Sequence, residues 1–161
     1  MSAINMKKAA GVLAAVAVVP VFAGGFAHAE TPGTVYFSAS IFNCSINDAG
    51  DVGCDASYPR SMFIDVNAGS GDASIPVPFP VSQVVIDVPW APAHPGFAPG
   101  AHTLPGGNPN ISVVGHPSGS GATSGSEVTH AGASCSTGFH GSFSCTSKGH
   151  NFSYYESIMA N

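Results

Sequence analysis

The sequence predicts a small all-β sandwich, and three features carry that expectation: short runs of alternating apolar and polar residues, turn-forming residues between them, and two cysteine pairs of equal spacing. Glycine (20 residues) and proline (13) are abundant, while charged residues make up only 8% of the 161-residue chain. That balance suits short strands and tight turns and disfavours amphipathic helices. Seven or eight short strands in two packed layers are expected.

Residues 1–29 read as a cleavable signal peptide. Lys7 and Lys8 form a positive start, Ala9 to Phe22 an apolar run, and Ala27-His28-Ala29 a small-x-small cleavage site. Pro20, Gly24 and Gly25 interrupt the run short of the roughly twenty continuous apolar residues of a membrane anchor, and no later segment is apolar for long enough to span. The expectation is export of residues 30–161 as one domain with no membrane span, in a secreted or extracellular setting where thiols meet oxidising conditions. Cleavage leaves Arg60 and Lys148 as the fixed cations, so no basic footprint exists for nucleic acid.

From Thr34 to Phe42 the two-residue period of a strand puts Val35, Phe37, Ala39 and Ile41 on one face and Tyr36, Ser38, Ser40 and Phe42 on the other. Asn47-Asp48-Ala49-Gly50-Asp51 is turn chemistry, reversing the chain between Cys44 and Cys54. Ser61 to Val66 reads as a strand, Asn67 to Asp72 as a turn, and Ile75 to Phe79 as an edge strand weakened by Pro76, Pro78 and Pro80. Gln83 to Val88 follows, with Val84, Ile86 and Val88 facing one way and Val85 and Asp87 the other.

No Asp, Glu, Lys or Arg occurs between Asp87 and Glu127. Residues 89–109 form a Pro/Gly-rich loop carrying Trp90, Phe97 and two Ala-His pairs, too proline-rich for a ladder. Loops of this length are functional or mobile more often than not, so it is either a cover whose aromatics fold onto the core or a recognition loop. Ile111 to Gly115 reads as a short strand, and 119–126 has flexible Gly/Ser composition. The remainder reads as a hairpin with its tip at Gly138 to Ser142 and a closing strand at Asn151 to Tyr155.

The four cysteines are Cys44, Cys54, Cys135 and Cys145. They allow three pairings, and equal local spacing with short loop closure favours 44 with 54 and 135 with 145 over the two non-local alternatives. His130, His140 and His150 recur every ten residues between and beyond the second cysteine pair. They are the weak candidates for a metal site, but the spacing matches no compact ligand pair, so neither metal nor cofactor is expected. Asp48, Asp51 and Asp55 surround the first loop without the calcium-loop pattern, and turn formation and solvation account for them. No nucleophile elbow, free Cys-His pair or His-Glu-x-x-His motif is present, so no catalytic residue is assigned and the expectation is a non-enzyme. The second cysteine loop, with Phe139 and Phe143 set off by Gly138 and Gly141, is the better candidate for presenting a rigid tip to a partner. Asn43, Asn110 and Asn151 sit in Asn-x-Ser sequons.

Within residues 33–79, the run Gly33-Thr34-Val35-Tyr36, then Cys44, nine residues, Cys54, a strand, Asn67-Ala68-Gly69 and a strand ending at Phe79 resembles the neocarzinostatin-type apoproteins. Those are small exported actinobacterial immunoglobulin-like sandwiches that hold an enediyne chromophore in an apolar cleft. The resemblance implies an immunoglobulin-like arrangement and a Cys44–Cys54 disulfide beside a ligand cleft.

The resulting expectation is a secreted, non-catalytic extracellular or cell-envelope-associated binding protein, its partner a protein, an envelope component or a small apolar ligand. The alternative is a carrier of that ligand in a sandwich cleft, with Phe37, Phe63, Trp90 and Phe97 as lining residues and Phe139 and Phe143 as further contacts. A histidine-based metal protein or enzyme is the remaining class.

Overall fold

A computed structural model describes residues 31, 33–67 and 72–161. The signal-peptide expectation for 1–29 and the centre of the turn at 68–71 lie outside the described residues. The rest is a β-sandwich with thirteen strands among the described residues, more than expected. They are β1 (Val35–Ala39), β2 (Phe42–Ile46), β3 (Val52–Arg60), β4 (Met62–Asn67), β5 (Asp72–Pro76), β6 (Val81–Ile86), β7 (His94–Pro95), β8 (His116–Ser118), β9 (Gly125–His130), β10 (Ala133–Thr137), β11 (Phe143–Ser147), β12 (His150–Tyr154) and β13 (Ile158–Ala160). A single helical turn, α1 (Ile111–Val114), precedes β8.

The first sheet runs β1-β2-β3-β6-β7 and the second β5-β4-β13-β12-β11-β10-β9-β8. All pairings are antiparallel except β13 with β4. Most neighbours are therefore hairpin partners. An immunoglobulin order puts the third strand in the opposite sheet to the second, whereas here β2 and β3 stay paired. β5 is an edge strand, the position at which Pro76 is tolerated.

Each disulfide joins residues that face one another on paired strands. Phe37, Cys44, Cys54 and Val84 form one row across β1, β2, β3 and β6. Val128, Cys135, Cys145, Phe152 and Ala160 form its counterpart in the second sheet. Facing Cβ atoms are close enough for a bridge, and the bonds are Cys44–Cys54 and Cys135–Cys145, the local pairing. All four sulfurs lie in the buried space between the sheets.

That space is filled by aromatic rings. Phe42 packs against Phe143, Phe152 and Tyr154 at centroid distances of 5.5, 6.1 and 5.2 Å, and Phe37 meets Phe143 at 6.4 Å. The burial of Phe42 corrects the expected face. The run 34–42 is not one strand but a hairpin that turns at Ser40 and Ile41, so Phe42 points inward with Phe37. Ser40 takes φ 53°, a conformation that turn residues such as Gly, Asn or Asp usually supply.

Two further expectations are corrected. Residues 111–114 form a helical turn because the Asn110 side chain accepts the Ser112 amide and Gly115 N–H returns to the Ile111 carbonyl. The segment 119–126 is the turn of the β8–β9 hairpin and the start of β9, containing a short 3-10 turn at Gly121–Thr123. The strand expected at 151–155 is present as β12, and the chain ends one strand later with β13. It sits between β12 and β4, and its buried Ile158 and Ala160 join the two halves of the second sheet.

Candidate functional site

The proline-rich segment is strapped across the outer face of the first sheet, strand by strand. Apart from β7, residues 87–110 form no regular element. β7 adds to β6, and the chain then bonds to Gln83 of β6: Gly96 N–H to its carbonyl, Ala98 N–H to its side-chain oxygen, and its amide nitrogen to the Ala98 carbonyl. Next comes β3, where Asp55 accepts from Gly100 N–H (2.9 Å), His102 N–H (2.8 Å), Thr103 Oγ1 (2.8 Å) and Gln83 Nε2 (2.9 Å). On β2, Ser45 Oγ lies 2.8 Å from His102 Nδ1, and Asn43 accepts the Asn108 amide. Asn108 Nδ2 reaches the carbonyls of Phe37, Cys44 and His102. The strap ends on β1, with Ser38 N–H bonded to the Pro109 carbonyl.

Asp55 was expected as a solvated turn carboxylate. It is instead 6% exposed in mid-strand and is the central acceptor of the strap. Asp48 and Asp51 do stay at the β2–β3 turn, paired with His130 and Lys148. Burial pushes the Asp51 carboxyl up, but hydrogen bonds from Lys148 and Asn47 outweigh it and hold it below its ordinary value.

Gly53 lies under the His102 ring, where any Cβ would overlap the imidazole. Ser45 and His102 have the spacing of a nucleophile and base. Ser45 is buried, however, and Asp55 binds the backbone of His102 and not its ring. The trio is arranged as a clasp, not as a relay that orients a base.

Burial holds the His102 imidazole below its ordinary value, opposed in part by Asp55. The unfolded chain therefore takes up the proton first as pH falls, so stability declines below about pH 6.5 until the folded pKa is passed. The urea midpoint of the wild type is expected to drop between about pH 7 and pH 5.5, and the drop should be smaller in His102→Gln. Parallel pH profiles for the two proteins would contradict this.

A second feature emerges from the register. At the end of the sandwich where the chain passes between sheets at 60–62 and 76–81, Tyr58, Phe79, Phe97, Phe139 and Tyr155 stand 44–84% exposed. Phe79 and Phe97 pair at 6.4 Å. Arg60 stacks over Tyr58 at 4.2 Å and donates to its hydroxyl at 2.7 Å. Arg60 Nε is buried without a partner among the described residues.

The residues expected to line a cleft are dispersed. Phe37 and Phe143 are buried in the core, so Phe143 is not presented by the second loop. Phe63 is half-buried on β4, and Trp90 is 81% exposed just beyond the opposite end of β6. Only Phe97 and Phe139 reach the aromatic end. Cys44 and Cys54 face the core, away from the strap, so the first disulfide borders no open cleft.

The histidines do not converge either. His130 and His150 lie at one end of the second sheet and His140 at the tip joining β10 to β11, at the other. Three strand spacings, about 14 Å, separate β9 from β12. His130 bonds Gly33 O and Asp48, His150 bonds Pro89 O, and His140 abuts Phe139. Among the described residues no three His, Cys, Asp or Glu side chains are placed to hold a metal ion, and no helix is long and apolar enough to cross a membrane.

Family models, curated proteins and solved structures offer no match to this chain.

Proposed function

We propose that the protein is an exported, non-catalytic binding protein that engages an extracellular or cell-envelope partner through the aromatic end of its sandwich. The observation that carries this reading is that five exposed aromatic side chains stand at one end of the sandwich, with Phe79 and Phe97 paired and Arg60 stacked on Tyr58. Tyr, Phe and Arg are enriched where proteins meet partners, and Tyr and Arg among the residues that dominate the binding energy. An exposed aromatic cluster of this kind otherwise costs solubility. Rigidity supports the same reading: Phe97 is presented by a strap tied to β6 and β3, and Phe139 by a hairpin closed by a disulfide. Little ordering entropy would be lost on association. The two disulfides suit an oxidising compartment, in keeping with export.

The test is co-sedimentation of the purified protein with cell-envelope fragments from the producing organism. Wild type is expected to be retained, and the Phe79→Ser, Tyr155→Ser double variant at least tenfold less, with an unchanged circular dichroism spectrum. Equal retention of the two proteins, or none of either, would sink the proposal.

A further inference from the structure

A groove of about 460 Å³ lies between the strap and the outer face of the first sheet, a volume in the range of small-molecule sites. Gly53 and Val85 face each other across β3 and β6, so a missing side chain adjoins an apolar one on a face that is otherwise polar. The imidazole of His102 fills part of the space above Gly53 and forms one wall. Phe97, Ala98 and Ala101 of the strap supply the apolar remainder.

Apart from the imidazoles of His94 and His102, the ionisable side chains that line the groove are carboxylates. Asp51 from the β2–β3 turn and Asp87 from the end of β6 line the groove, and no Lys or Arg does. Lys148, the nearest fixed cation to Asp51, is bonded to Asp51 Oδ1 at 2.9 Å. Asp87 Oδ1 lies 3.0 Å from His94 Nε2. Among the described residues, Asp87 Oδ2 and His102 Nε2 have no hydrogen-bond partner. A cleft with carboxylates at its rim and apolar walls attracts cations and repels anions, and the exposed Phe97 ring adds a face for a cation or a flat ring.

We infer that this groove binds a compact organic cation: a primary ammonium group at Asp87, with a flat apolar body against Val85 and Phe97. This site shares Phe97 with the aromatic end but does not depend on the envelope-binding reading.

Phenethylamine is the probe, with 2-phenylethanol and 3-phenylpropionate as neutral and anionic counterparts of similar shape, each titrated into the isotope-labelled protein and followed by amide chemical shifts. The amine is expected to give saturable shifts at Gly53, Val85, Phe97 and His102 in the millimolar range or below, at least tenfold tighter than the alcohol, with no saturation by the carboxylate. Val85→Phe, which fills the hollow, should abolish the response. Asp87→Asn, a change at an exposed side chain, should lower amine binding to the level of the alcohol. Equal responses to all three compounds, no saturation by the amine, or amine binding unchanged in Asp87→Asn would overturn the inference. Envelope retention of Val85→Phe should equal that of wild type, so failure at one site is distinguishable from failure at the other.

Discussion

Replacing Asp55 with alanine is expected to cost about 3–5 kcal/mol and to release the strap from the sheet. Four donors converge on this carboxylate, and three of them (Gly100 N–H, His102 N–H and Thr103 Oγ1) belong to the strap. Each donor left unpaired in a buried position costs about 1–3 kcal/mol, less where water can enter. Asparagine at the same position is no remedy, because its NH2 group would face two of the four donors. Since a domain of this kind has a net stability of about 5–15 kcal/mol, Asp55→Ala should fold but melt early. The checks are the urea midpoint and hydrogen exchange at Gly100 and His102. Unchanged protection of those two amides would mean that the strap is held by something else.

The strap shows where the sequence stops being informative. Its charge-free composition and its two Ala-His pairs mark residues 89–109 as unusual, and that much was legible. The partners were not: Asp55, Gln83 and Asn43 lie 13 to 65 residues from the strap atoms they bond, and a buried acceptor looks the same in sequence as a solvated one. One signal was present: Asp55 continues the β3 run just after Cys54, four positions past the last of the turn residues with which it was grouped. The aromatic end was equally hidden. Tyr58, Phe79, Phe97, Phe139 and Tyr155 share an end only because two crossings between sheets, two hairpin tips and the strap fall there.

What could be read was local. The two cysteine pairs, each closing a hairpin whose turn is rich in Gly or Asn-Asp, fixed a facing register that the structure displays. β6 showed its buried face through Val84 and Ile86. Reading failed where a turn lacked turn residues. Ser40-Ile41 contains no Gly, Asn, Asp or Pro, so alternation carried the strand through it and placed Phe42 on the wrong side.

Phe42→Ala, compared with Ile41→Ala, measures that error directly. As a hairpin, the structure packs Phe42 against three aromatic rings, 1% exposed, and leaves Ile41 only partly buried at the tip. Truncating a buried Phe costs about 3–5 kcal/mol through lost transfer energy and the residual cavity. Truncating the half-buried Ile41 should cost roughly 1 kcal/mol by area. A continuous strand would reverse the order, because Ile41 would share the inner face with Phe37 and Phe42 would face solvent. Urea unfolding with an unchanged m-value separates the two cases: a larger loss for Ile41→Ala than for Phe42→Ala would refute the hairpin. The consequence extends past stability. The same turn brings Cys44 opposite Phe37 and Ser45 to the outer face, so the register that buries Phe42 also places the hydroxyl that holds His102 over the groove.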